Sequence, residues 1–159
     1  MTTNNKGAHD AMKSSVGRLV SILYRKNQVY LNGVLKPLNI TAAEVPVLIH
    51  LFGRDGISQE ELSSFLVIDK AATARVVQSL LDKGFLRKDK DPNDRRSNQV
   101  FLTEQAIEQR ATIFAHLRQW TDFLTAGIDE ASVQTMFAVL EAMADKVDGT
   151  DFREWGQKG

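Results

Sequence analysis

The sequence contains no cysteine, which excludes disulfide frameworks, thiolate metal sites and cysteine-based redox switching together. It also lacks any apolar run approaching the roughly 20 residues of a membrane span. Its first ten residues, MTTNNKGAHD, have no apolar core of the kind a secretory signal requires. These two absences point to a cytoplasmic chain with no membrane partner. No phosphate-cradling glycine motif, HExxH, G-x-S-x-G elbow or Ser/His/Asp triad is present, so the chain is not read as an enzyme and calls for no cofactor. Its three histidines, His9, His50 and His116, are too scattered to indicate a zinc site. Net charge is absent too: 20 basic residues balance 20 acidic ones, which argues against non-specific coating of nucleic acid. That balance conceals a distribution, because between Asp69 and Asn98 eight bases stand against five acids.

What is present is an ordinary globular composition, 43% apolar and 25% charged over 159 residues, enough for one domain or one compact module with helical extensions. Apolar residues Val16, Leu19, Val20, Leu23, Leu31, Val34 and Leu35 recur at helical steps and predict a long helix over 11–35 ended by Pro37. Thr41 with Glu44 forms a capping-box pattern for a second helix to about Phe52, with Pro46 in its second turn costing one backbone bond and bending it. After the turn GRDG, Ser58 with Glu61 repeats the pattern for a short helix to about Phe65. Asp69 then caps a third that ends at Lys83 before Gly84. Two short helices joined so tightly cross steeply, as in a helix-turn-helix.

After Gly84 the apolar period becomes two. Segments 85–89 and 98–102 pair as strands with Leu86, Val100 and Leu102 facing inward, bent by DPND. Thr103 caps a helix to about Leu124, and Asp129 caps a last one to about Val147. The fold is therefore mainly α with a small β-hairpin wing. The hairpin tip carries Arg95 and Arg96 side by side. An ordinary solvated turn accounts for them only weakly, whereas exposed arginines that fork onto phosphate or groove acceptors account for their type and position. Asp94 is expected to brace one of them through an ion pair.

The segments LKPLNITAAEVPVLIHL, ISQEELSSFLVIDKAATARVVQSLLDKGFLRK and DPNDRRSNQVFLT together resemble the multiple-antibiotic-resistance regulator (MarR) family of bacterial transcription factors. The Asp-x-Arg wing, with Asp94, Arg96, Val100, Leu102 and Thr103, carries the most specific part of the likeness. The resemblance implies a homodimer of winged-helix lobes that reads a pseudo-palindrome in double-stranded DNA, about 34 Å between recognition helices. It implies a transcriptional regulator, most simply a ligand-responsive repressor at the nucleoid. The division implied is an unstructured 1–10, a dimerisation helix over 11–36, the winged lobe over 37–103, dimerisation helices over 104–148 and a tail over 149–159. The bland alternative packs the outer helices within one subunit.

On the recognition helix Lys70, Ala71, Ala72, Ala74, Arg75 and Gln78 are expected to face DNA, Lys70 toward phosphate and Arg75 and Gln78 toward base edges. In the wing, Arg96 matches the family's minor-groove arginine, Asp94 the residue that orients it, and Arg95 a phosphate contact. Thr73, Ala74, Phe101 and Ala106 depart from the family pattern. Members of the family sense small anionic aromatic molecules, and Tyr24, Arg25, His50 and Trp120 are the candidates for such an effector, although residues of these types are commonly packed or solvated instead. A second functional class stays open: a winged-helix module whose arginines meet an acidic protein partner.

Overall fold

Ser15, Ser58, Asp69 and Asp129 each open a helix by accepting one of its free N–H groups. The computed structural model describes residues 15–94, 96–150 and 152. Helix α1 runs Val16–Val34 and is capped by Ser15, whose Oγ accepts the Arg18 N–H. The expected extension over 11–14 lies outside the described residues. The helix stops at Val34, and Pro37 falls within a short 3-10 turn, Lys36–Leu38, that leads to a left-handed Asn39.

Helix α2, Val45–Gly53, starts one turn later than the sequence pattern predicts. Residues Thr41 to Glu44 form a separate turn closed by Glu44 N–H to Thr41 O at 3.0 Å. Pro46 therefore sits in the first helical turn, where an N–H would have no intrahelical partner, and the expected lost bond and bend do not arise. Only the reciprocal half of the capping box is kept: Thr41 N–H donates to Glu44 Oε2 at 2.8 Å.

Helix α3, Gln59–Leu66, has the complete box, with Ser58 and Glu61 bonding each other's backbone N–H. Asp69 Oδ1 accepts the Ala72 N–H at 2.8 Å and opens α4, Lys70–Asp82. The turn between them passes through Val67, a β-branched residue at φ 54° that is 82% exposed; a left-handed conformation is costly for such a side chain. Where the two helices cross, Ser63 Oγ donates to Thr73 Oγ1 at 2.8 Å inside the core, and Thr73 passes a hydrogen bond to Asp69 O. A buried hydroxyl needs a partner, and Ser63 makes Thr73 workable where the family pattern has an apolar residue.

Strands β2, Leu86–Lys90, and β3, Asn98–Leu102, form the expected hairpin, with Leu86 opposite Leu102 and Lys90 opposite Asn98. A further strand that the sequence reading missed, β1, Ile57–Ser58, adds to the other edge of β3, giving the order β1-β3-β2. Thr103 donates to Gly84 O at 2.7 Å and accepts the Ala106 N–H, joining the end of the wing to the start of helix α5, Glu104–Thr125. Ala106 is itself a core residue.

The described residues divide into two compact units, one up to Trp120 and one from Thr121 onward. In the first, Leu35, Leu48, Leu62, Leu80, Phe85 and Ile113 are among the fully buried side chains, each stabilising by about 1.5–3 kcal/mol relative to exposure. The N-terminal half of α1 contributes nothing to this core, since Val16, Leu19, Val20 and Leu23 are all exposed. In the second unit Asp129 caps helix α6, Glu130–Val147, by accepting the Ser132 N–H. That helix has no buried residue, and Phe137, Leu140, Met143 and Val147 stand in solvent. Among the described residues no helix is long and apolar enough to cross a membrane.

Candidate nucleic-acid interface

Helix α4 buries one stripe, Thr73, Val77 and Leu80, and this decides what its other side presents. Lys70, Ala71, Ala74, Arg75 and Gln78 are exposed, as their spacing predicts; Ala72 is half-buried rather than free, because like Val76 one turn on it sits at the margin of the buried stripe. Among the exposed polar groups, Arg75 has no acidic partner among the described residues. Lys70 is different: its Nζ lies 2.8 Å from Glu60 Oε1 on α3, with both side chains solvent-exposed. That hydrogen bond, reinforced by the opposite charges, raises the lysine pKa and lowers the glutamate's. Gln78 Nε2 donates to Asp82 Oδ1 at 2.7 Å, so its amide is held along the helix.

In the wing, Asp91 Oδ1 accepts the Asn93 N–H and Asp94 Oδ1 accepts the Arg96 N–H at 3.0 Å. Among the described residues Asp94 braces the main chain of Arg96 rather than its guanidinium: an Asx turn is local and fixes the loop itself, and the Arg96 side chain is exposed. Arg95 lies outside the described residues. Arg96, Ser97 and Asn98 share with Ser58, Gln59 and Glu60 a concavity of about 300 Å³ between the wing and the start of α3. The start of α3 and the wing tip thus meet at one shallow, polar surface.

Behind that surface, Phe101 has a clear use. Its ring packs against Gly56, which has φ +72°, and the Arg87 guanidinium sits 4.6 Å from the ring centroid while pairing with Asp89. The departure from a polar residue at Phe101 is therefore a packing feature of the wing's outer face. Asp55 supports the same strand by accepting the Leu102 N–H at 2.9 Å.

The sequence reading gave Glu44 only a capping role, yet it is 2% exposed and its carboxylate accepts hydrogen bonds from three residues. Ser79 Oγ lies 2.6 Å from its Oε1, Lys83 Nζ 2.8 and 2.9 Å from its two oxygens, and Thr41 N 2.8 Å from Oε2. Burial pushes its carboxyl up, but the Lys83, Ser79 and Thr41 hydrogen bonds outweigh it and hold the pKa below the ordinary 4.5. What the pair contributes to stability is complete at neutral pH and is lost only as pH falls through that lowered value.

The four effector candidates have separate neighbours. Arg25 donates to Ser21 Oγ one turn away, Tyr24 is exposed, the His50 ring lies 3.7 Å from that of Phe65, and Trp120 stacks on Tyr30 at 5.3 Å. The Tyr30 hydroxyl donates to His116 O. No contact among the described residues joins His50 to Tyr24 or Arg25. Nor do the described residues place three or more His, Asp or Glu side chains together where they could hold a metal ion.

Comparison with known proteins agrees with this architecture. Residues 40–97 match the MarR family model. The multiple antibiotic resistance protein MarR of Salmonella typhimurium is 36% identical over 88 residues, a stretch that covers 55% of this chain and 61% of that protein. Among solved structures, a MarR transcriptional regulator from Methanosarcina mazei superposes with a TM-score of 0.80 at 35% identity, covering 82% of this chain and 94% of that one. A cysteine-to-serine mutant of Escherichia coli MarR, solved with operator DNA, has a TM-score of 0.73 at 29% identity over 80% of this chain and 92% of its own. With the winged helix-turn-helix, the Asp-x-Arg wing and a 35% identical relative matched over nearly its whole length, the chain belongs to the MarR family.

Proposed function

We propose that the protein is a sequence-specific double-stranded DNA-binding transcriptional regulator that works as a homodimer on a pseudo-palindromic operator. The observation that carries this is an exposed polar face on α4, with Arg75 free of any acidic partner among the described residues, together with an exposed Arg96 at the wing tip. A helix with small alanines between donors suits the major groove, and an exposed arginine beside it suits phosphate or the minor groove. The operator complex of the Escherichia coli relative supports the same use of this fold. Exposed apolar faces on α1 and on α6 support pairing with a second copy, which makes 11–36 and 104–148 the dimerisation segments and 37–103 the reading lobe.

In this reading the protein acts in the cytoplasm on the nucleoid as a repressor. A small anionic aromatic effector releases it by preferring a lobe spacing that the operator does not accept. The test is selection of duplexes from a random pool, followed by affinity measurements over a salt series. An inverted repeat with half-sites about one helical turn apart is expected to emerge, with log K falling against log salt at a slope steeper than about −4. A pool that stays random would exclude sequence-specific regulation.

The Lys70–Glu60 contact leads to a second expectation. Lys70 can neutralise a phosphate only by leaving Glu60, and the carboxylate itself repels the backbone. Glu60→Gln is expected to tighten DNA binding by about two- to fivefold at low salt and to steepen the salt slope by about one per subunit. Binding that weakens, or a slope that stays unchanged, would show that Lys70 does not reach the duplex.

A further inference from the structure

We propose that Glu44 is the positioning residue of the recognition helix, fixing α4 to the turn at 41–44 and, through that turn, to α1. The inference rests on the reading of α4 as the element that enters the groove, and it adds the device that sets how that helix is presented.

The buried stripe of α4 is nearly all apolar, and apolar packing is non-directional; it holds the helix on the core without specifying its rotation or its axial position. One buried hydroxyl contact, Ser63 Oγ to Thr73 Oγ1, ties the N-terminal half of α4 to α3; directional restraint of its C-terminal half comes from Ser79 and Lys83. They stand one helical turn apart, so both lie on one face, and both donate to the same carboxylate at 2.6 to 2.9 Å. That carboxylate is held in turn by the Thr41 N–H at 2.8 Å. The next residue, Ala42, donates its N–H to Asn32 Oδ1 of α1, also at 2.8 Å. An unbroken series of short polar contacts thus runs from α1 through residues 41–44 to the C-terminal half of α4, and Glu44 is the member in which the two sides meet. A carboxylate with little solvent access and donors on both of its oxygens has one well-defined placement. Bidentate base contacts fail when the donor is displaced by a fraction of its bonding distance. Loss of the restraint should therefore appear first as loss of sequence discrimination, while phosphate attraction, which tolerates displacement, persists.

The experiment compares affinities for the selected inverted repeat and for a scrambled duplex of equal composition, at one salt concentration, with folding and oligomeric state checked by circular dichroism and sedimentation. Glu44→Ala is expected to lower the ratio of the two affinities by about tenfold while leaving scrambled-duplex binding near wild type. Glu44→Gln is expected to stay within about threefold of wild type, because its amide oxygen still accepts from Thr41 and its amide nitrogen can donate to Ser79 Oγ. Should Glu44→Ala not fold, Asn32→Ala and Ser79→Ala each remove one contact of the series and are expected to lower the ratio by about threefold. The proposal is overturned if Glu44→Ala, or those two variants in its place, discriminates as wild type does, or if Glu44→Gln loses as much as Glu44→Ala. A wild-type protein that fails to discriminate at all would instead defeat the DNA-binding reading, and this inference with it.

Discussion

Replacing Gly56 with alanine is expected to cost about 3 kcal/mol of folding stability and to lower the melting temperature by about 6–12 °C. Two effects add at this position. Its φ of +72° lies in the left-handed region, where a Cβ costs about 1–2 kcal/mol. The added methyl would also lie only 2.6 Å from a Phe101 ring carbon, and overpacking of that kind costs about 1–3 kcal/mol. For the ring to yield it must shift against the Arg87 guanidinium that sits 4.6 Å from its centroid. Gly127 is an internal control: its φ is +78° and nothing stands within 4 Å of where its Cβ would be. Gly127→Ala should therefore show the conformational penalty alone. Urea or thermal unfolding of the two variants measures the difference, and equal losses would mean that the Phe101 ring moves aside without cost.

This contrast between a local effect and a contact at long range also describes what could be read from the sequence. Caps are local, so Ser58 with Glu61, Asp69, Thr103 and Asp129 were legible, and the structure places a helix after each. The alternation of the wing and the exposed face of α4 were legible for the same reason: the periods of strand and helix are written in consecutive residues. Strand β1 was not, since two residues are too short to display a period and its partner, Val100, is far along the chain. Pro46 was misplaced by one turn because Thr41 and Glu44 fit a capping pattern whether or not the helix begins beside them. Of the Glu44 cluster only the Thr41 contact was legible, as half of the capping-box pattern. Ser79 and Lys83 lie far along the chain, and only the fold brings them to the same carboxylate.

The proposed interface divides in the same way. Which residues face outward followed from helical spacing, but which of them are already engaged did not: Lys70 meets Glu60 from another helix, whereas Arg75 stays free. Among the described residues Asp94 bonds the Arg96 main chain rather than its guanidinium, a choice that depends on loop geometry and not on residue type. The effector candidates were selected by residue type. Type alone does not say that His50 lies on Phe65 or that Trp120 stacks on Tyr30.

Arg75 and Arg96, neither with an acidic partner among the described residues, are expected to fail in different ways when removed. Arg75 projects from the middle of α4, where a guanidinium can bond two acceptors on one base edge, so Arg75→Ala should lose about 1–3 kcal/mol per half-site and relax selectivity at one base position in each. In a dimer both half-sites are affected, and affinity for the selected repeat should drop by at least about tenfold while a scrambled duplex is bound nearly as before. Arg96 stands on a loop shaped by Asp91 and Asp94, and in the proposed complex it would meet phosphate or minor-groove acceptors beside the base edges that α4 reads. Arg96→Ala should weaken both duplexes together and make the salt slope shallower by about one per subunit. Competition binding over a salt series separates these outcomes, and unchanged affinity of Arg96→Ala at moderate salt would remove the wing tip from the interface. If the two variants instead lose affinity in parallel, with the same slopes and the same loss of selectivity, then helix and wing do not divide reading from anchoring, and the assignment of Arg75 to base edges fails.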